Sequence, residues 1–551
     1  MSGWGRPGGW RERRPPPRRG RGDRMGMPLN VGQVLSAQAR LQPGRIGARD
    51  LERAMTFAEW NARACRLANG LLALGLRRGD RIAVLAFNRV EWAEIYVAAA
   101  KAGLVAVPIN FRLTAPEARF IAADCAVSAV IAEAALAELA DSIRPGLGVP
   151  DANWVLIGEG ARDGWRGYED LIAGAPDEEP GVEVAPDDPW CLMYTSGTTG
   201  NPKGAIRSHR GMAMLALMTE VELGLGRGDN ALLVMPMCHA NSLNFFTAFL
   251  GIGAQVTVFS RQSFDAALCL RTIGAHGITF SSLVPTHYQM MLDVPASERG
   301  DAGFESVAKL MVSSAPARVE TKRAIMEMFP NSGLFELYGS TEQGWATMLH
   351  PDEQFDHLGT VGREVVGSRP IRICDEKGNE VPDGEVGELW SSGPYAFEGY
   401  WNLPEKTAEA LRDGYLSVGD MALRDEHGFI RLIDRKKNMI ITGGENVYPT
   451  EVEAVLGGHP DVRDVAVVGV ADPKWGERVE AAVVLRDGAH VTAGDLVDWT
   501  RGRLAGFKRP RAVTFLRPEE MPRNATGKIL HRVLREFLTE RTGPPTPGEN
   551  E

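Results

Sequence analysis

At 551 residues the chain is too long for one ordinary core and long enough for two or more domains. Its composition, 44% hydrophobic and 24% charged, is that of a globular protein, and a net charge of −10 argues against nucleic acid as the main partner, since such domains usually carry a basic face. No apolar run reaches the roughly 20 residues that a membrane span needs; the stretch 245–259 comes nearest, and Gly251, Gly253 and Gln255 interrupt it.

The charge is unevenly placed. Residues 1–24 hold eight Arg against Glu12 and Asp23, so this tail carries +6 and the remainder −16. Rich in Arg, Pro and Gly, it cannot bury a core and is expected to be disordered. One reading is a basic arm for membranes or nucleic acid. The plainer one is a start codon assigned too early, with Met25 or Met27 as the true first residue.

The periodicity of residues 57–76 predicts an amphipathic helix, with Trp60, Ala64, Leu67, Leu71 and Leu74 on one face. A turn at 77–80 leads into a buried strand (81–87), a helix (91–101) and a second strand (104–107) ended by Pro108. That is a βαβ unit, so a parallel sheet is expected. Residues 145–183, richer in Gly, Pro and acid, read as surface connections. Similar α/β alternation continues to about residue 430. The charged run Asp434-Arg435-Lys436-Lys437-Asn438 then separates two apolar strands. Beyond it come short strands (465–470, 481–485) and two helices (493–504, 529–538), the size of a small α+β domain. The boundaries expected are a tail 1–24, a large domain 25–434 of stacked sheets and helices, and a smaller mobile domain 435–545.

The six cysteines, at 65, 125, 191, 238, 269 and 374, form no C-x-x-C pair, which disfavours a zinc or redox motif. Isolated thiols without a signal peptide suit a reducing cytosol.

The strand end Cys191–Tyr194 runs into Thr195-Ser196-Gly197-Thr198-Thr199-Gly200-Asn201-Pro202-Lys203-Gly204. Glycines let backbone N–H groups turn towards an anion, the hydroxyls add donors, and Lys203 adds a mobile charge. Such a loop is built to hold polyphosphate, and it is not a Walker A motif. It resembles the signature loop of the adenylate-forming superfamily, which includes acyl-CoA synthetases, peptide-synthetase adenylation domains and firefly-type luciferases.

The resemblance continues in order from about Thr56 to Leu538. It implies that Thr195, Ser196, Gly197, Thr198, Thr199, Gly200 and Lys203 bind the ATP phosphates. Tyr338-Gly339-Ser340-Thr341-Glu342 is similar to the second nucleotide motif, implying that Thr341 touches phosphate and that Glu342, with Thr195, holds Mg²⁺. Mg²⁺ wants hard carboxylate oxygen and shares its shell with phosphate and water. Asp420, in Tyr415-Leu-Ser-Val-Gly-Asp420, and Arg435 would hold the ribose, a carboxylate being a natural acceptor for a diol. Lys528, in Pro522-Arg-Asn-Ala-Thr-Gly-Lys528, would be the catalytic lysine. It would stabilise the charge that builds when one anion attacks another. His239, in Met235-Pro-Met-Cys-His-Ala-Asn241, would border the acyl pocket, although a core histidine is the competing reading. Ser313-Ser314-Ala315-Pro316 matches a loop lying against acyl chain and adenine, with Ser where the family often has Gly. Lys437 would be the hinge on which the small domain turns between two half-reactions. Gly443 and Gly444 would line a pantetheine tunnel. No G-x-S-x-G elbow and no covalent nucleophile is needed.

The activity implied is an ATP-dependent acyl-CoA ligase, with carboxylic acid, ATP and CoA as substrates and Mg²⁺ as cofactor. The acid expected is a medium- or long-chain fatty acid, with an aryl acid second. The absence of a basic residue within the His239 segment argues for a monoacid. Phe245, Phe246 and Phe249 suggest an apolar lining, or simply core. The rivals are transfer to a carrier protein, a luciferase-like oxidation, and a catalytically dead sensor. A homodimer is expected by analogy alone.

Overall fold

In a computed structural model the described residues are 30–195, 202–299, 303–313, 317–443, 445–523 and 529–542. The basic tail lies outside them. The expected βαβ unit is present. The strand Arg81–Leu85 pairs in parallel with Val105–Pro108, from Arg81 opposite Val105 to Val84 opposite Pro108, and the helix Glu91–Ala102 makes the crossover. All twelve residues of that helix are buried. The helix expected over 57–76 runs Phe57–Ala73. A capping box between Thr56 and Glu59 starts it, and Gly75, at φ +91°, follows where a side chain would be strained.

Four sheets are built from the described strands, with seven, nine, six and five strands. The seven-stranded and nine-stranded sheets are parallel at their centres, the first with one antiparallel edge and the second with two, and a single core of aromatic and aliphatic side chains lies between them. The six-stranded sheet is antiparallel and carries the strands Asp420–Arg424 and Ile430–Arg435. The five-stranded sheet begins at Ile440 and has its own apolar clusters on both faces. This mixed α/β architecture, large N-terminal and smaller C-terminal parts, is the fold class expected.

Several expectations are corrected. Residues 145–183 are more than surface connections: the strand Trp154–Ile157 is buried throughout, and the helix Tyr168–Ala173 buries Tyr168, Leu171 and Ile172. The short strands near the C-terminus are a long hairpin, Val462–Asp472 against Gly476–Leu485, whose turn is tied by the Asp472 carboxylate accepting from the backbone of Lys474 and Trp475. The helix expected to reach 504 stops at Trp499, before Gly502 at φ +72°. The last helix is His531–Thr542. Phe245, Phe246 and Phe249 belong to the core. Phe245 packs against Phe280 and Trp345 at 4.7 and 5.3 Å, and Phe246 lies near Trp60 and Tyr96.

All six cysteines are buried, and burial pushes every thiol upward, Cys65 to about 11 and Cys125 and Cys238 to about 12. No described helix is long and apolar enough to cross a membrane.

His209 is fully buried against Trp190, and neither ring nitrogen has a hydrogen-bond partner among the described residues. Burial lowers its pKa to about 4, whereas an unfolded imidazole titrates near about 6.5. Between those values the unfolded chain binds the proton and the folded chain does not, so the folded state loses stability as pH falls through that window. We expect the melting temperature to drop from pH 7 to pH 5. His209→Phe, which keeps a ring against Trp190 and removes the proton site, should drop less. Equal drops in parent and variant would refute this assignment.

Candidate active site

The signature loop is closed by a hairpin. The strand Pro189–Thr195 pairs antiparallel with Lys203–Ser208, Thr195 opposite Lys203, so both ends of the loop are held while Ser196, Gly197, Thr198, Thr199 and Gly200 lie outside the described residues. Glu342 sits in the tight turn between Gly333–Ser340 and Gly344–Leu349. The turn explains Gly339: a Cβ there would come within 2.0 Å of the Gly344 carbonyl oxygen.

The two residues expected at the metal, 147 positions apart, meet. The Thr195 hydroxyl donates to Glu342 Oε1 at 3.1 Å. The Tyr400 hydroxyl donates to the same oxygen at 2.9 Å. Lys203 Nζ lies 4.0 Å from the centroid of the Tyr400 ring, a cation–π contact. Burial lowers the Lys203 pKa and the Glu342 charge partly restores it. The opposite Glu342 oxygen accepts no hydrogen bond from a described residue. One carboxylate with a hydroxyl beside it fits Mg²⁺ of the kind that shares its shell with phosphate and water. A site built wholly from protein is not offered, since no group of three acidic, His or Cys ligands occurs among the described residues.

The second constellation is the pair expected at the ribose. Asp420 and Arg435 face each other across adjacent antiparallel strands and form an ion pair, and the Tyr338 hydroxyl donates to Asp420 Oδ2 at 2.6 Å. Asp420 is buried and Arg435 partly exposed. Tyr338 thus links the Tyr338–Glu342 turn to Asp420. Lys437 sits in the turn just after Arg435. Partial desolvation and then the Arg435 charge push its pKa down, with Asp420 acting the other way and Lys203 close enough to add to the repulsion.

His239 precedes the helix Ala240–Ile252, and its Nε2 lies 3.3 Å from Asn110 Nδ2. Burial, then the nearby Arg112 charge, lowers its pKa to about 4. At neutral pH it is therefore an uncharged hydrogen-bonding ring rather than a cation for the acid. The segment before it is pinned by Asn88, which bridges the backbone of Val234, Met235 and Met237, and by the Tyr96 hydroxyl on the Met237 carbonyl. Gly443, at φ +61°, lies with its α-carbon against the Trp475 ring, where a Cβ would sit 3.0 Å from a ring carbon. Ser313 ends the strand Lys309–Ser313. Ser314, Ala315, Pro316, Gly444 and Lys528 lie outside the described residues.

Two side chains of this site escape sequence reasoning. Arg207 is buried, and its Nη1 donates at 2.9 Å to the carbonyl of Thr341, fixing the turn that carries Glu342. Burial lowers even this guanidinium to about 10. A charged residue on the inward face of an apolar strand is the one signal that points to it. Tyr400, which reaches Glu342 from 58 residues downstream, has no local signal at all.

Residues 35–401 match the family model of the AMP-binding enzyme, and residues 451–528 match that of the AMP-binding enzyme C-terminal domain. The chain belongs to this adenylate-forming family. A feruloyl-CoA synthase of Amycolatopsis sp is 36% identical over 92% of this chain and 98% of its own length. The long-chain-fatty-acid–CoA ligase FadD13 of Mycobacterium tuberculosis is 36% identical over 92% and 98%. ATP-bound MatB from Rhodopseudomonas palustris superposes with a TM-score of 0.84 at 30% identity, over 94% of this chain and all of that one. Within the family the chain stands in the CoA ligase branch and is an AMP-forming acid–thiol ligase.

Proposed function

We propose that the chain joins a monocarboxylic acid to CoA in two steps, with ATP converted to AMP and diphosphate. The observation that carries this is the convergence on Glu342 of Thr195, Tyr400 and, through the Tyr400 ring, Lys203. A hard anion, a hydroxyl and a cation thus lie together beside the strand ends that flank residues 196–201, which supports phosphate and Mg²⁺ binding there.

Thr195 and Glu342 would hold Mg²⁺, which when bound supplies charge neutralisation at the phosphates. Lys203 and the loop orient the polyphosphate, and Asp420 with Arg435 fixes the ribose. The acid carboxylate then attacks the α-phosphorus and diphosphate leaves. Lys528 neutralises charge that develops in that attack. The chain contributes position and charge rather than a nucleophile. In the second step the CoA thiol attacks the acyl carbonyl and AMP leaves. The segment beyond Lys437 turns between the steps, so that Lys528 serves the first and Gly443 and Gly444 flank the thiol arm in the second. Neutral His239 orients the acid or gates the thiol.

A medium- or long-chain fatty acid is the substrate class we carry forward from family frequency, with an aryl acid beside it. The names of the relatives fall on both sides, and with Phe245, Phe246 and Phe249 in the core no residue-level argument for a long apolar tunnel remains. The chain works in a reducing cytosol and, by analogy, as a homodimer.

Diphosphate release from MgATP, measured with a panel of fatty and aryl acids with and without CoA, tests this reading. Release that requires one acid class and accelerates with CoA is the expected result. Release indifferent to CoA would favour a carrier-protein acceptor, and no release with any acid would overturn the ligase assignment.

A further inference from the structure

We infer that the acid carries a hydroxyl on its chain or ring and that Asn241, Ser282 and Ser313 recognise it, an inference that rests on the ligase reading above. Asn241 is the second residue of the helix Ala240–Ile252, two positions after His239. Its Nδ2 donates to Ser282 Oγ and to Ser313 Oγ, each at 3.0 Å, and the two hydroxyl oxygens lie 3.3 Å apart. Three stretches distant in sequence therefore converge in one polar cluster.

Its place in the fold is that of a ligand site. The strands Asn230–Leu233, Phe280–Leu283 and Lys309–Ser313 are adjacent and parallel. The first leads through the His239 segment into the helix, and Ser282 and Ser313 stand at the carboxyl ends of the other two. In open α/β sheets, ligands bind outside the carboxyl ends of the strands. One strand further on, Ser313 lies opposite Leu337, the residue before the nucleotide motif. Within the helix, Ser242 to Leu250 are all buried, whereas Asn241 and His239 remain partly exposed at the open end.

The hydrogen-bond accounting identifies the missing partner. Both amide hydrogens of Asn241 are used. One serine gives its proton to the other, which leaves one hydroxyl proton without an acceptor among the described residues. Asn241 Oδ1 likewise has no donor among them. Both serines are only 4% exposed, so an alkyl chain laid over the cluster would seal in an unpaired donor and an unpaired acceptor. A hydroxyl satisfies both, because it accepts one hydrogen bond and donates another. Sites built to hydrogen-bond a substrate hydroxyl discriminate strongly against analogues that lack it.

The test compares kcat/KM of the full chain for matched acids, 4-hydroxycinnamate against cinnamate and 10-hydroxydecanoate against decanoate, by CoA-dependent diphosphate release. In at least one pair the hydroxylated acid should be preferred by about tenfold or more, the worth of one good hydrogen bond. Asn241→Val should bring that ratio towards one. Ser282→Ala, a smaller change that keeps the fold safer, should lower it too. Ratios near or below one in both pairs would overturn the inference while leaving the ligase reading intact, as would a preference that neither variant moves. No release with any acid would overturn the ligase reading and this inference with it.

Discussion

Lys528→Ala is expected to lose acyl-adenylate formation by at least about a hundredfold while still forming acyl-CoA from supplied acyl-adenylate. The magnitude is that of removing one positioned charge from a developing anion. The acid and the α-phosphate are both negative, so the first step depends on cations aimed at the transferring group. Lys203 is already engaged over the Tyr400 ring, and Arg435 is paired with Asp420, so neither can take over. The second step has a different demand. Its acyl group is already activated, and its leaving group is AMP. Isotope exchange between diphosphate and ATP reads the first step, and thioester formation from synthetic acyl-adenylate reads the second. Loss of both would point to a structural role for Lys528, and retention of the first would refute its assignment as the catalytic lysine.

Glu342→Gln should be nearly as damaging, for a separable reason. The amide oxygen of Gln can still accept from the Thr195 and Tyr400 hydroxyls that now meet at Glu342 Oε1, and Arg207 holds the turn through the Thr341 carbonyl rather than through the side chain. The fold should therefore survive, with a melting temperature close to the parent's. What disappears is the negative charge. We expect adenylation to fall by about a hundredfold or more and the Mg²⁺ concentration for half-maximal MgATP binding to rise by about tenfold. Tyr400→Phe, which deletes one hydrogen bond and keeps the ring beneath Lys203, should cost only about tenfold in rate. An unchanged Mg²⁺ requirement in Glu342→Gln would remove this carboxylate from the metal site.

What could be seen in the sequence follows from the range of each interaction. The motif of residues 195–204 and the Tyr338–Glu342 turn stand out because each is a local pattern, and in the turn Gly339 is needed where it stands, as the contact that a Cβ there would make demonstrates. The helix 91–101 and its flanking strands were legible because periodicity and burial agree. The partners that complete the site come from elsewhere. Arg207, Tyr400, Asn88 and the Asn241 cluster act through contacts between elements separated by 31 to 149 residues, and no local pattern encodes those. Errors at element ends have local causes. A glycine with positive φ lies just beyond Leu74 and just beyond Trp499, where apolar periodicity suggested that the helices continue. The acidic, glycine-rich composition of 145–183 concealed the short apolar segments Trp154–Ile157 and Tyr168–Ala173 inside it.

The sealed cysteines have a consequence for an enzyme whose second substrate is itself a thiol. Exchange with a disulfide requires an accessible thiolate, and all six side chains are withdrawn from solvent with their protons held more tightly than usual. Mixed disulfides of the folded enzyme with oxidised CoA or glutathione are therefore disfavoured, and a colorimetric thiol reagent added to the native reaction is expected to react with CoA first.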